Sequence, residues 1–153
     1  MALFLVRHGR NLPEEIDSQK RLSREGITEV ECVAARAQDR GVRVETIIYS
    51  PAARARQTAE IMASYLKPGH GAMEVSGLAA NNDMQAFART LDARENIMVV
   101  GHLPFLERLC SYLVTGSADT PTVSFKSGTM VCLEKDPEVP AWTIRWTITP
   151  DTC

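Results

Sequence analysis

Near its amino end the chain runs Ala2-Leu3-Phe4-Leu5-Val6 and then breaks into Arg7-His8-Gly9. The apolar run shows no alternation of period two, so a strand built from it must be covered on both faces. Such a strand belongs in the middle of a sheet flanked by helices. The polar tripeptide then stands at the carboxyl end of a central strand, where open α/β sheets bind their ligands.

Outward from that strand, the pattern repeats. Residues 9–22 are polar, carry Pro13 and read as a loop. Ser23 suits the cap of a helix running to about Arg40, with Ile27, Val30, Val33, Ala34 and Ala37 on its apolar face and Gly41 as its stop. Thr46-Ile47-Ile48-Tyr49 is a second strand, and Ser50-Pro51 opens a helix to about Leu66. A third strand is expected at Met73-Glu74-Val75, a short helix at 83–92, a buried strand at 96–100 and a helix from Pro104. After Gly116, strands are expected at 123–125, 129–134 and 142–147, with Trp142, Trp146, Ile144 and Ile148 packing about the last. The early alternation of strand and helix predicts an α/β fold: a three-layer α/β/α sandwich with a mostly parallel sheet. The tail is expected to add an antiparallel edge.

Composition fits one globular domain spanning 1–153. The chain has 153 residues, 44% hydrophobic and 24% charged, with a net charge of −2. No basic footprint for nucleic acid is present, and no polybasic run for a membrane surface. The opening apolar run is shorter than the roughly seven to fifteen residues of a signal core. No segment approaches the roughly 20 apolar residues of a membrane span. A cytoplasmic location is expected. Cys32, Cys110, Cys132 and Cys153 form no Cys-x-x-Cys pair, so they are expected to be free thiols, Cys153 exposed and the others buried.

Three strands end in residues capable of chemistry: Arg7-His8 after the first, Ser50-Pro51 with Arg54 one turn later after the second, and Gly101-His102 after the fourth. Arg7, His8, Arg54 and His102 are expected to converge on one crevice. Two guanidinium forks and two imidazoles suit a phosphate dianion, helped by the amino ends of the following helices. No acidic cluster is spaced for a divalent cation, so neither a metal nor another cofactor is required. His70 lies in a turn and is expected to be exposed, and Arg56 should point away from Arg54.

These elements resemble the histidine phosphatase superfamily, also called phosphoglycerate mutase-like. The matching residues are Arg7-His8-Gly9, Leu22-Ser23-Arg24-Glu25-Gly26, Ser50-Pro51-Ala52-Ala53-Arg54-Ala55-Arg56-Gln57-Thr58 and Val99-Val100-Gly101-His102-Leu103-Pro104. The compact length and the Gly-His-Leu-Pro element are similar to the SixA branch of small phosphohistidine phosphatases. The resemblance implies a phosphoglycerate mutase-like fold and a nucleophilic His8 that takes the phosphoryl group before water releases it. Arg7, Arg54 and His102 would hold the phosphoryl oxygens. It also suggests a substrate-side role for Arg21, with Lys20 as the alternative and a solvated loop charge as the plain one.

Many superfamily members use a carboxylic acid on the leaving group. Here Asp83 alone stands in the expected region, and a helix cap is its expected role. The lack of an acid favours phosphohistidine, or another activated phosphate, over a plain monoester. The expected partner is a phosphorylated protein, for example a histidine phosphotransfer domain. The alternatives are a small phosphomonoester or phosphoramidate metabolite, or a phosphate-binding module without turnover.

Overall fold

Strand β1 (Ala2–Arg7) occupies the interior of a six-stranded sheet. The computed structural model describes residues 1–91 and 94–153. The other strands are β2 (Thr46–Tyr49), β3 (Ala72–Glu74), β4 (Ile97–Gly101), β5 (Met130–Lys135) and β6 (Trp142–Ile148), in the order β3-β2-β4-β1-β5-β6. The β3-β2-β4-β1 half is parallel, whereas β5 and β6 join antiparallel. The sandwich with its antiparallel edge is as the sequence predicts.

The fully apolar character of β1 has a direct structural cause. Phe4 and Val6 pack on one face with Val30, Val33, Ala34 and Ala37 of α1 (Arg24–Asp39) and Ala55, Ala59 and Met62 of α2 (Ala53–Leu66). Leu3 and Leu5 point to the other face, against Leu106, Leu109 and Cys110 of α4 (Phe105–Thr115) and Met84 of α3 (Met84–Ala88). Each buried Leu, Val, Phe or Met among them contributes roughly 1.5–3 kcal/mol of transfer free energy.

Several expectations need correction. Residues 123–125 form no strand, and the sheet passes directly from β4 to β5 in chain order. Phe125 is buried in the α4-side core instead. The short helix ends at Ala88, and residue 92 of its expected span lies outside the described residues. The helix after Ser50 begins at Ala53, two residues later than its proline suggested. Ile27 is 37% exposed because the buried stripe of α1 starts from Gly26, one step around the helix.

The cysteines depart furthest from expectation. Cys32 of α1 and Cys153 form a disulfide across 121 positions, with Cα atoms 6.0 Å apart. It fastens the short 3-10 turn Pro150–Thr152 to α1. Cys110 and Cys132 are buried free thiols as expected. Trp142 is buried, and Trp146 lies between Phe4 and the guanidinium of Arg40.

Candidate active site

Parallel register brings the strand ends together. Arg7 pairs with Gly101, and Tyr49 with Val100, so the residues following β1, β2 and β4 emerge side by side. The His8 amide donates to Gly101 O at 3.0 Å and the Ser50 amide to Val100 O at 3.2 Å, extending each ladder into the loop. A crevice of about 460 Å³ opens there, lined by Arg7, His8, Ser50, Pro51, Ala52, Arg54, Ala79, Ala80, His102 and Leu103. All four residues expected to converge are in it.

His8 is held ready for one kind of chemistry. Its Nδ1 lies 2.8 Å from Gly9 O. A carbonyl oxygen only accepts, so Nδ1 carries the proton and Nε2 keeps its lone pair. Burial pushes the ring pKa down to about 4; the Gly9 bond opposes this, and His102, Arg54 and Arg7 add to the lowering. His102 is likewise pushed down to about 4, by burial and then by Arg54 and Arg7. The ring centroids are 5.0 Å apart. Both imidazoles are therefore neutral at physiological pH, and His8 Nε2 keeps an electron pair available toward the crevice.

The arginines supply the positive field. Arg7 Nη1 donates to Phe125 O at 2.8 Å, which fixes the guanidinium, while its buried Nε has no partner among the described residues. Buried donors are rarely left without an acceptor, and an oxyanion in the crevice would provide one. Arg54 is half-buried in the first turn of α2, and burial lowers its pKa. No side chain caps that helix, so its first amides are open to an anion.

A scaffold around these groups was not read from the sequence. The Gly9 amide donates to Thr58 Oγ1 at 3.0 Å, and Thr58 Oγ1 donates to Arg54 O at 2.8 Å, so α2 holds both the residue after His8 and an arginine of the crevice. Gln57 Oε1 accepts from the Leu22 amide at 2.8 Å. Gly128 donates its amide to Arg7 O and His8 O. A Cβ at Gly9 would lie 2.6 Å from Val30 Cγ2, and one at Gly26 only 2.0 Å from Arg10 O. Ser23 completes this crossing: its hydroxyl donates to Arg10 O and accepts from the Gly26 amide. The Arg54–Thr58 spacing of four helical residues was a usable signal. The carbonyl of Phe125 and the amide of Gly128 left none.

The remaining candidates lie elsewhere. Arg21 is exposed and forks onto Asp17, with Nε to Oδ2 at 2.8 Å, and does not line the crevice. Lys20 adopts a left-handed φ of 51° in the same loop and also stays off the crevice wall. Asp83 Oδ1 accepts from the Gln85 and Ala86 amides as the cap of α3, the role expected of it. His70 is exposed, and Arg56 pairs with Glu60.

The model of the histidine phosphatase superfamily (branch 1) matches residues 3–79. The chain belongs to this superfamily. An uncharacterized protein of Picosynechococcus sp. is 35% identical over 114 residues, covering 69% of this chain and 68% of that protein. The phosphohistidine phosphatase SixA of Escherichia coli is 28% identical over 156 residues, covering 98% and 94%. A solved structure of the protein histidine phosphatase SixA complexed with tungstate superposes with a TM-score of 0.86 at 26% identity, covering 99% of each chain. This member of the superfamily is therefore a SixA-like phosphatase with a phosphoglycerate mutase-like fold, acting on a phosphorylated substrate. Among the described residues, no helix is long and apolar enough to cross a membrane.

Proposed function

We propose that this phosphatase hydrolyses phosphohistidine on a partner protein, through a phosphoryl intermediate on His8. The observation that carries the reading is the wall of the crevice, which among the described residues carries no carboxylate. An alkoxide leaving group needs a proton from a strong acid, and a carboxyl group usually supplies it. An imidazole leaving group does not, because it departs neutral once its second nitrogen is protonated.

His8 Nε2 attacks phosphorus in line; the new P–N bond forms as the substrate P–N bond breaks, and the partner's imidazole leaves. Water then attacks phosphorus, the P–Nε2 bond breaks, and inorganic phosphate leaves with His8 regenerated. Transfer between two imidazoles is nearly balanced in bond energy, so the protein's task is to position the groups and to stabilise the equatorial oxygens. Arg7 and Arg54 offer forked donors for those oxygens, and His102 a further one. The likeness to SixA along nearly the whole chain supports the substrate class.

The test is metal-free phosphate release from a histidine-phosphorylated phosphotransfer domain, with wild type and His8→Ala side by side and a simple alkyl phosphate as comparator. Release by wild type alone, with the alkyl phosphate turned over far more slowly, is expected. Release by both proteins would remove His8 from the mechanism. Equal rates on the two substrates would remove the preference for phosphohistidine.

A further inference from the structure

We infer that Ser50 is a positioning residue, which fixes His102 in the tautomer carrying its proton on Nδ1 and so makes that ring a hydrogen-bond donor to the phosphoryl group. The inference rests on the reading of the crevice as a phosphoryl-transfer site and assigns a role to a side chain with no part in the steps above.

Ser50 is 1% exposed, and its amide is already bonded to Val100 O. Its hydroxyl has a single partner among the described residues, His102 Nε2 at 2.5 Å. The pair can be read in two directions. If Nε2 carried the proton and donated, the serine hydroxyl proton would find no acceptor among the described residues. If the hydroxyl donates, its proton is satisfied and only oxygen lone pairs go unused, the lesser penalty for a buried group. The second arrangement is therefore favoured. A neutral imidazole has one N–H, so an accepting Nε2 places the proton on Nδ1.

Neutrality of the ring follows from its surroundings: Arg7 and Arg54 face it, and burial and those two charges lower its pKa. Nδ1 has no protein partner among the described residues, and His102 lines the crevice beside His8. The two rings then carry the same tautomer but present opposite atoms. His8 spends its Nδ1 proton on Gly9 O and presents a lone pair; His102 spends its Nε2 lone pair on Ser50 and presents a proton. One ring is left as nucleophile and the other as donor to an oxygen of the same phosphoryl group. Without Ser50, nothing in the described structure would hold His102 against the Nε2–H form that free histidine favours in water, and its accepting Nδ1 would then repel a phosphoryl oxygen.

The experiment is long-range proton–nitrogen correlation of the histidine rings at neutral pH, for wild type and Ser50→Ala. It is joined to inorganic phosphate titration and to kinetics on the histidine-phosphorylated phosphotransfer domain. Wild-type His102 should show the proton on Nδ1, and Ser50→Ala should move it toward Nε2. Phosphate affinity should fall about tenfold and kcat about 100-fold, the scale of losing one oriented donor. A wild-type His102 protonated on Nε2 overturns the proposal without any variant, even if Ser50→Ala fails to fold. So does a variant that keeps the wild-type tautomer, or one that changes tautomer yet keeps wild-type phosphate affinity and rate. The spectra and the phosphate titration need no phosphorylated protein, so they stand apart from failure of the phosphohistidine reading.

Discussion

Acidification should charge His8 only far below the range usual for histidine, and the structure sets the size of the effect. His8 is 8% exposed, and its pKa lies near 4 against 6.5 for the unperturbed ring. Burial is the main cause, and a proton added there would also face Arg7, Arg54 and His102. At 1.36 kcal/mol per pH unit, the gap corresponds to about 3 kcal/mol. Because the folded pKa is the lower one, the unfolded chain binds a proton between pH 6.5 and 4 that the folded chain does not. This contribution therefore destabilises progressively as pH falls below about 6.5, and the loss is complete below about 4. In the same window His8 itself stays neutral. The assay is NMR titration of the ring protons, with denaturant unfolding at pH 7.5 and 4.5 for wild type and His8→Ala. The His8 midpoint should fall near 4, and wild type should lose about 2–3 kcal/mol more than the variant on acidification. Saturating inorganic phosphate should raise the midpoint, since a bound anion favours the charged ring. A midpoint at 6 or above in the free protein would refute the argument from burial.

Other positions give equally direct outcomes. Gly26→Ala should lower the unfolding free energy by more than about 3 kcal/mol and impair turnover, because its Cβ meets the Arg10 backbone rather than a flexible side chain. Gly69→Ala, with open space around it, should stay within about 0.5 kcal/mol by the same denaturant measurement. Thr58→Val keeps the shape but removes the acceptor for the Gly9 amide; a loss of about 1–3 kcal/mol and a lower kcat are expected, with Thr58→Ser restoring both. Reducing the Cys32–Cys153 bond should cost about 2–4 kcal/mol, below the chain-entropy limit of about 5 for a separation of 121; Cys32→Ser should abolish the response to reductant in the unfolding midpoint.

What the sequence made legible is what depends on local pattern. An apolar run without alternation demands cover on both faces, and β1 has it. Once parallel order is accepted, the ends of β1, β2 and β4 must share one edge, so Arg7, His8, Arg54 and His102 had to lie near one another. Less legible were contacts made by backbone groups, since every residue carries a carbonyl and none advertises its orientation. Gly9 O on His8 and Phe125 O on Arg7 are of this kind. The disulfide was hidden for another reason: Cys32 sits at the margin of an apolar helix stripe, and pairing across 121 positions leaves no spacing signal. Arg21 illustrates a competing partner. Asp17, four positions earlier, pairs with the guanidinium for which the resemblance suggested a substrate-side role.

The residues that carried the resemblance divide by what they physically do. His8, Arg7, Arg54 and His102 present atoms to the crevice. Gly9 and Gly26 present no side chain, and with one at either position α1 could not rest on the backbone that follows His8. Ser23 bonds that same backbone at Arg10 O, and Thr58 ties it to the helix that carries Arg54. Such a clamp matters because in-line transfer tolerates little misplacement: a shift of about 1 Å can cost two orders of magnitude in rate. A nucleophile on a loop therefore needs helices pressed against that loop, and close pressing needs glycine at the crossing. The spacing of the signature is thus a requirement of packing as much as of chemistry. A chain that kept the four crevice residues but carried alanine at Gly26 should bind phosphate poorly even though every reacting group is present.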